Sequence, residues 1–247
     1  MKHAIPLALA LALTLPLVAP VPARADCVIL LHGLARSASS FWLMEDVLVR
    51  EGFTVVNRDY PSTEASIEAL APAAIDPAVE TCGAETIHFV THSMGGILLR
   101  YWLSQTDPPQ LGRAVMLAPP NQGSELVDRL GEVAAFERQY GPAGQELGTG
   151  EGAVARRLPP VDFELGVIAG YGTINPVASA LIEGPDDGTV ALDSTRVEGM
   201  ADFIALRVTH TFMMNNPLVV AETLEFLRTG AFDHDMQFID GVGDLLE

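Results

Sequence analysis

The chain has 247 residues, enough for one domain with a full-sized core or a domain with a small cap. Hydrophobic residues make up 49% and charged residues 19%, a globular rather than a disordered composition. A formal net charge of -18 repels phosphate backbones and anionic membrane surfaces, which argues against nucleic acid as a partner and leaves a neutral substrate open.

The first residues read as a targeting segment. Lys2 and His3 precede an apolar run from Ile5 to Val18, which Pro16, Pro20 and Pro22 break before Ala23-Arg24-Ala25. This pattern predicts a secretory signal peptide over residues 1–25, cleaved after Ala25, and export to the periplasm or the medium. An uncleaved anchor helix is the alternative, and the prolines and the small-residue site speak against it. Residues 24–26 do not form the small-residue box that lipidation of Cys27 needs. Cleavage removes Lys2 and Arg24 but no acid, so the mature chain is more acidic still. Only Cys27 and Cys82 are present, and in an exported chain two cysteines suggest one disulfide.

The mature chain opens on the apolar run Cys27 to Leu31, the pattern of a strand buried on both faces of a parallel sheet. Ser40 is placed to cap a helix carrying Phe41, Leu43, Met44, Val47 and Leu48, which Gly52 stops. A second short strand covers Phe53 to Val56. A helical stretch interrupted by Pro72 and Pro77 leads to Cys82-Gly83. Thr86 to Val90 is a third strand, and an apolar helix follows over Ile97 to Leu103. Further strands cover Ala114–Ala118, Leu165–Ala169 and Phe203–Val208, and a last helix runs from about Asn216 to Leu227. Strands alternating with helices predict a doubly wound, mostly parallel α/β sheet over residues 26–247. Residues 121–163 hold no strand. They combine a charged amphipathic piece, Glu125 to Arg138, with glycines from Gly141 to Gly152, so this insertion is either a lid or cap, or a surface excursion. The tail from Thr229 is not accounted for by the pattern.

The strongest chemical signal is Val90-Thr-His-Ser-Met-Gly-Gly-Ile97. A serine between a strand and a helix, in so tight a turn, is a nucleophile elbow. The turn forces strain on the serine and thrusts its hydroxyl above the sheet, while the next helix aims its N-terminus at the site. With this motif the sequence resembles the α/β-hydrolase superfamily, and within it bacterial lipases and esterases, including the branch similar to GPI-inositol deacylases. One departure is Thr91, which stands where that family usually has Gly and brings a methyl into the crowded side of the turn.

The resemblance implies a reduced sheet lacking the family's first two strands. It also implies that Leu31-His-Gly-Leu-Ala35 is an oxyanion loop, with the backbone N–H groups of Leu34 and Met94 as donors. Asp187, in Gly184-Pro-Asp-Asp-Gly-Thr-Val190, fits the family's acid better than Asp186, although Asp-Gly is also a plain turn signal. His210 follows the last strand, as the family's base does; His3, His32, His88, His92 and His234 are less well placed. The order Ser93, Asp187, His210 is that of nucleophile, acid and base in the family. In that fold Cys27 and Cys82 lie near one end of the sheet, away from the site, where a disulfide would close about 55 residues; two unpaired thiols are the alternative.

The implied activity is hydrolysis of a carboxylic ester, small or lipid-like, through an acyl-enzyme. An acyltransferase or amidase on the same triad, and a non-catalytic binding protein of this fold, are the competing readings. No required cofactor and no catalytic metal are expected, a structural calcium stays open in so acidic a chain, and transient contact with a lipid surface is the only larger partner considered.

Overall fold

The computed structural model describes residues 25–83 and 86–237. The expected signal peptide, apart from Ala25, and the tail beyond residue 237 lie outside the described residues. In chain order the elements are β1 (Cys27–Leu31), α1 (Trp42–Arg50), β2 (Thr54–Asn57), α2 (Ile67–Cys82), β3 (Ile87–His92), α3 (Met94–Gln105), β4 (Leu111–Leu117), α4 (Glu125–Leu130), α5 (Ala134–Gln145), α6 (Val154–Arg157), β5 (Leu165–Gly170), α7 (Pro176–Ser179), β6 (Asp202–Leu206) and α8 (Pro217–Thr229).

The strands form a single sheet in the order β2-β1-β3-β4-β5-β6, and every pairing is parallel. Successive residues of a strand face opposite sides, so a strand covered on both faces favours a continuous apolar run. β1 shows this: Cys27, Ile29 and Leu31 pack with α2 and α3, while Val28 and Leu30 pack with α1 and α8. All five are buried, and each large side chain so placed contributes roughly 1.5–3 kcal/mol relative to exposure. The apolar runs visible in the sequence are therefore the central strands of a two-faced core.

Two local expectations are corrected. The prolines do not interrupt α2, which runs unbroken with Pro72 and Pro77 inside it. Each proline costs one helical hydrogen bond, but the carbonyls concerned belong to Glu68 and Ala73, both exposed, where water is available. The buried face of Ile67, Leu70, Ala71, Ile75, Ala78 and Cys82 holds the helix together. Ser40 does not cap α1: it lies in a tight 3₁₀ turn over Ala38–Phe41, and its hydroxyl donates to the Ser37 carbonyl. The chain after α8 also packs, since Phe232 is buried against Phe226 at 4.9 Å between ring centres and its N–H donates to Asp202.

Cys27 and Cys82 form a disulfide with 5.8 Å between Cα atoms. It joins the first residue of β1 to the last of α2, at the N-terminal edge of the sheet. Among the described residues no helix is long and apolar enough to cross a membrane.

Candidate active site

The C-terminal ends of the strands deliver the site, as open parallel sheets do. β3 ends at His92 and α3 begins at Met94, so Ser93 makes the entire turn. Its φ of 53° and ψ of -122° are strained for a residue with a side chain. The strain is held from below by its N–H, which donates to the Leu117 carbonyl at 2.9 Å. Glycine is obligatory beside it: a Cβ on Gly95 would lie 2.4 Å from the Leu31 carbonyl oxygen. Thr91 is accommodated because Gly96 faces it: a Cβ on Gly96 would crowd the Thr91 hydroxyl oxygen at 3.3 Å.

His210 lies in the loop after β6, and Asp187 in the turn after α7. The structure brings both to Ser93. His210 Nε2 is 3.0 Å from Ser93 Oγ, and His210 Nδ1 is 2.7 Å from Asp187 Oδ2. The other oxygen, Asp187 Oδ1, accepts the N–H groups of Thr189 at 3.0 Å and Val190 at 2.8 Å. The backbone closes the arrangement, because the His210 N–H donates to the Asp187 carbonyl at 3.0 Å. Asp186, the alternative acid, is turned away and accepts from the Ser179 hydroxyl and the Gly188 N–H. Ser93, Asp187 and His210 are 8%, 2% and 7% exposed, so the relay is shielded but open at the serine.

The loop after β1 lies against this turn. A Cβ on Gly33 would meet Ser93 Cβ at 3.1 Å and His92 Nδ1 at 2.8 Å, so only glycine allows the approach. Leu34 lines the cavity at the serine. The Met94 N–H belongs to the first residue of α3 and has no partner within the helix. Leu34 and Met94, named from the sequence as oxyanion donors, thus lie at the cavity and in the turn that hold Ser93.

The cavity measures about 250 Å³. Ser93, His210 and Leu34 line it, together with Leu126, Val127, Phe136, Tyr140 and Leu147 of residues 121–163. That segment holds α4, α5 and α6 and no strand, as its composition predicts.

Four further residues support the site without having been assigned a role from the sequence. His92 does not bond to Ser93, but its Nε2 lies 3.0 Å from the His210 carbonyl and its ring packs 4.7 Å from the His210 ring. Burial, reinforced by the charge His210 would carry, holds its pKa well below the ordinary histidine range, so Nε2–H is the donor. Tyr60 and Ser62 reach the loop after β1 from the end of β2. Arg100 is buried in α3 and donates to carbonyls of Asn121, Leu158 and Pro159, tying the helix behind the serine to the insertion. Burial lowers its pKa to about 10. A lone arginine inside the apolar stretch Ile97 to Leu103 was the available signal for it. Among the described residues no group of three or more His, Cys, Asp or Glu side chains is arranged to hold a metal.

The profile of the alpha/beta hydrolase family matches residues 28–231, and the chain belongs to that family. The six parallel strands form its reduced sheet. No curated protein is significantly similar to the chain. Among solved structures, the mature lipase BlEst2 of Bacillus licheniformis superposes with a TM-score of 0.70 at 20% identity, covering 86% of this chain and 95% of that one. The metagenomic carboxyl esterase MGS0156 gives 0.61 at 17% identity, covering 92% and 78%. Phospholipase PlaB of Legionella pneumophila gives 0.62 at 16% identity, covering 90% and 61%. At these identities the likeness is one of fold.

Proposed function

We propose that the protein is a serine hydrolase of carboxylic esters, with lipid-like esters as the favoured substrate class. The observation that carries this reading is the continuous relay of 3.0 Å and 2.7 Å from Ser93 through His210 to Asp187. Family membership and the esterases and lipases of the same fold support it. The apolar side chains lining the cavity suit an acyl chain.

The chemistry follows from the groups present. A serine hydroxyl is a weak nucleophile at neutral pH. His210 Nε2 takes the proton from Ser93 Oγ as Oγ bonds to the ester carbonyl carbon. Negative charge collects on the carbonyl oxygen, and the N–H groups of Leu34 and Met94 stabilise it there. As the tetrahedral adduct collapses, the bond to the alcohol oxygen breaks, and His210 returns its proton to that oxygen. Water then repeats the attack on the acyl-enzyme, giving its proton to His210. The acid departs and Ser93 regains its hydrogen. Asp187 remains ionised, fixes the imidazole tautomer and balances its positive charge.

Residues 121–163 act as the cap of this site, since their side chains wall the cavity. Export through the leader at residues 1–25 agrees with the disulfide, which belongs to oxidising compartments.

Hydrolysis of p-nitrophenyl esters from acetyl to palmitoyl tests the proposal. Ser93→Ala is expected to lower turnover roughly 10⁶-fold, and the best acyl length separates esterase from lipase. Full activity in that variant removes Ser93 as nucleophile. Folded wild type without activity on any ester moves the reading to an amide substrate or an acyl transfer.

A further inference from the structure

The loop after β1 is held in a specific conformation, and the holding comes from the segment after β2. A trans peptide group points its C=O and N–H in opposite directions. The direction of the Leu34 N–H is therefore fixed by whatever holds the Gly33 carbonyl. That carbonyl accepts from His32 Nδ1 at 2.9 Å and from the Arg36 N–H at 3.3 Å. His32 is itself fully buried and stacked on Tyr60, with 4.0 Å between ring centres and 10° between planes. Its Nε2 accepts the Tyr60 N–H at 3.4 Å, which leaves Nδ1 as the donor to Gly33. The Tyr60 hydroxyl donates to the His32 carbonyl.

One residue further on, the Ala35 N–H donates to Ser62 Oγ at 3.0 Å. Ala35 has a φ of 53°, a left-handed conformation uncommon for a residue with a Cβ, so this bond holds a strained peptide in place. Ser62 is 4% exposed, and its own N–H donates to the Tyr60 carbonyl at 2.8 Å. The segment is anchored in turn to the cap. Gly141 of α5 packs on the Thr63 carbonyl so closely that a Cβ would come within 1.8 Å, and Glu146 accepts the Ile67 N–H at 2.7 Å.

We propose that Tyr60 and Ser62 are positioning residues for the oxyanion donor Leu34, acting as a bracket that keeps its N–H aimed at the carbonyl oxygen of the substrate. This rests on the esterase reading above. Neither residue touches substrate. The bracket acts on the transition state, because the donor is needed most when charge has moved onto oxygen. Misplacing a donor by about an ångström costs on the order of 10²-fold in rate.

The experiment compares wild type, Tyr60→Phe and Ser62→Ala. Tyr60→Phe keeps the ring that stacks on His32 and removes only the hydroxyl. Three quantities are read: kcat and KM for p-nitrophenyl butyrate, the inhibition constant of butylboronic acid, which forms a tetrahedral adduct on serine, and that of butyrate, which does not. The expected result is kcat lowered about 10- to 100-fold in each variant with KM within about twofold. Boronic acid inhibition weakens in proportion, and butyrate inhibition is unchanged. A merely structural role would lower the melting temperature and the active fraction and leave the ratio of the two inhibition constants at its wild-type value; that result overturns the proposal. So does wild-type kcat in both folded variants. If Tyr60→Phe fails to fold, Ser62→Ala alone decides by the same criteria. Wild-type hydrolysis that survives Ser93→Ala brings down the esterase reading itself, which is a different outcome from variants that match a Ser93-dependent wild type.

Discussion

The two edges of the sheet are built on opposite rules. At the C-terminal edge the backbone is strained. Among the described residues, the three non-glycine residues with positive φ, Ala35, Ser93 and Ala118, follow β1, β3 and β4 there, with φ values of 53°, 53° and 45°. At the N-terminal edge the chain is fastened. The Cys27–Cys82 disulfide, the Arg113–Glu164 ion pair at 3.2 Å and the contacts of Asp202 with Phe232 and His234 all lie on that side. A parallel sheet gathers the starts of its strands at one edge and their ends at the other, so stability and chemistry can be assigned to separate edges. Strain at one is tolerated because the surroundings over-determine it and the other edge does not share it.

This contrast predicts that substitutions at the two edges separate activity from stability. The largest effect belongs to the strained edge. Asp187→Asn keeps the shape of the relay but favours the wrong imidazole tautomer, and kcat should fall about 10⁴-fold with little change in melting temperature. Steady-state kinetics beside a thermal melt checks it; near-normal turnover would mean that another group orients His210.

At the fastened edge, the double variant Cys27→Ala/Cys82→Ala releases a loop with a sequence separation of 55. The expected loss is about 4 kcal/mol of folding stability, with kcat per folded molecule unchanged at 25 °C. Denaturant titration measures the first and active-site titration the second. A large drop in kcat at constant folded fraction would break the separation of edges.

The smallest effect concerns Glu222, buried on α8, where Oε2 accepts the Asp233 N–H at 2.9 Å and Oε1 has no partner among the described residues. Burial pushes its pKa up to about 7; the Asp233 N–H and His234 oppose that shift, while the charges of Asp233 and Glu225 add to it. An acid with a higher pKa in the folded state holds its proton more tightly there. Its contribution is complete below the unfolded value near 4.5 and is lost as the pH rises through about 7. Wild type should therefore lose about 2 kcal/mol between pH 5 and pH 8 that Glu222→Gln does not lose. Calorimetry at the two pH values decides, and parallel curves for the two proteins would remove Glu222 as the cause.

The strands were legible because burial on both faces favours continuous apolar runs, as in Cys27 to Leu31 and Leu165 to Ala169. The strand-to-helix position of Ser93 was legible from the same element boundaries, whereas the part given to His210 came from the resemblance to the α/β-hydrolase family. Asp187 was separable from Asp186 only through the turn that follows it. Contacts between segments distant in sequence left no pattern. Nothing in Asp59 to Ser62 announces that its tyrosine will stack on His32. The prolines of α2 misled because their cost is local, whereas the buried face that outweighs it is set by packing. Ser40 misled because any serine ahead of an apolar helix looks like a cap, and a 3₁₀ turn was the cheaper start.

The order of events along the chain gives the disulfide another meaning. Cys82 precedes Ser93, and the ring it closes contains β1, α1, β2 and α2, hence both the loop after β1 and the bracket that aims it. β1 and β2 pair within this ring, Cys27 opposite Thr54. A chain emerging N-terminus first can thus lock the oxyanion side of the site while its nucleophile has yet to appear. The strained elbow would then be laid against a neighbour whose ring is already closed.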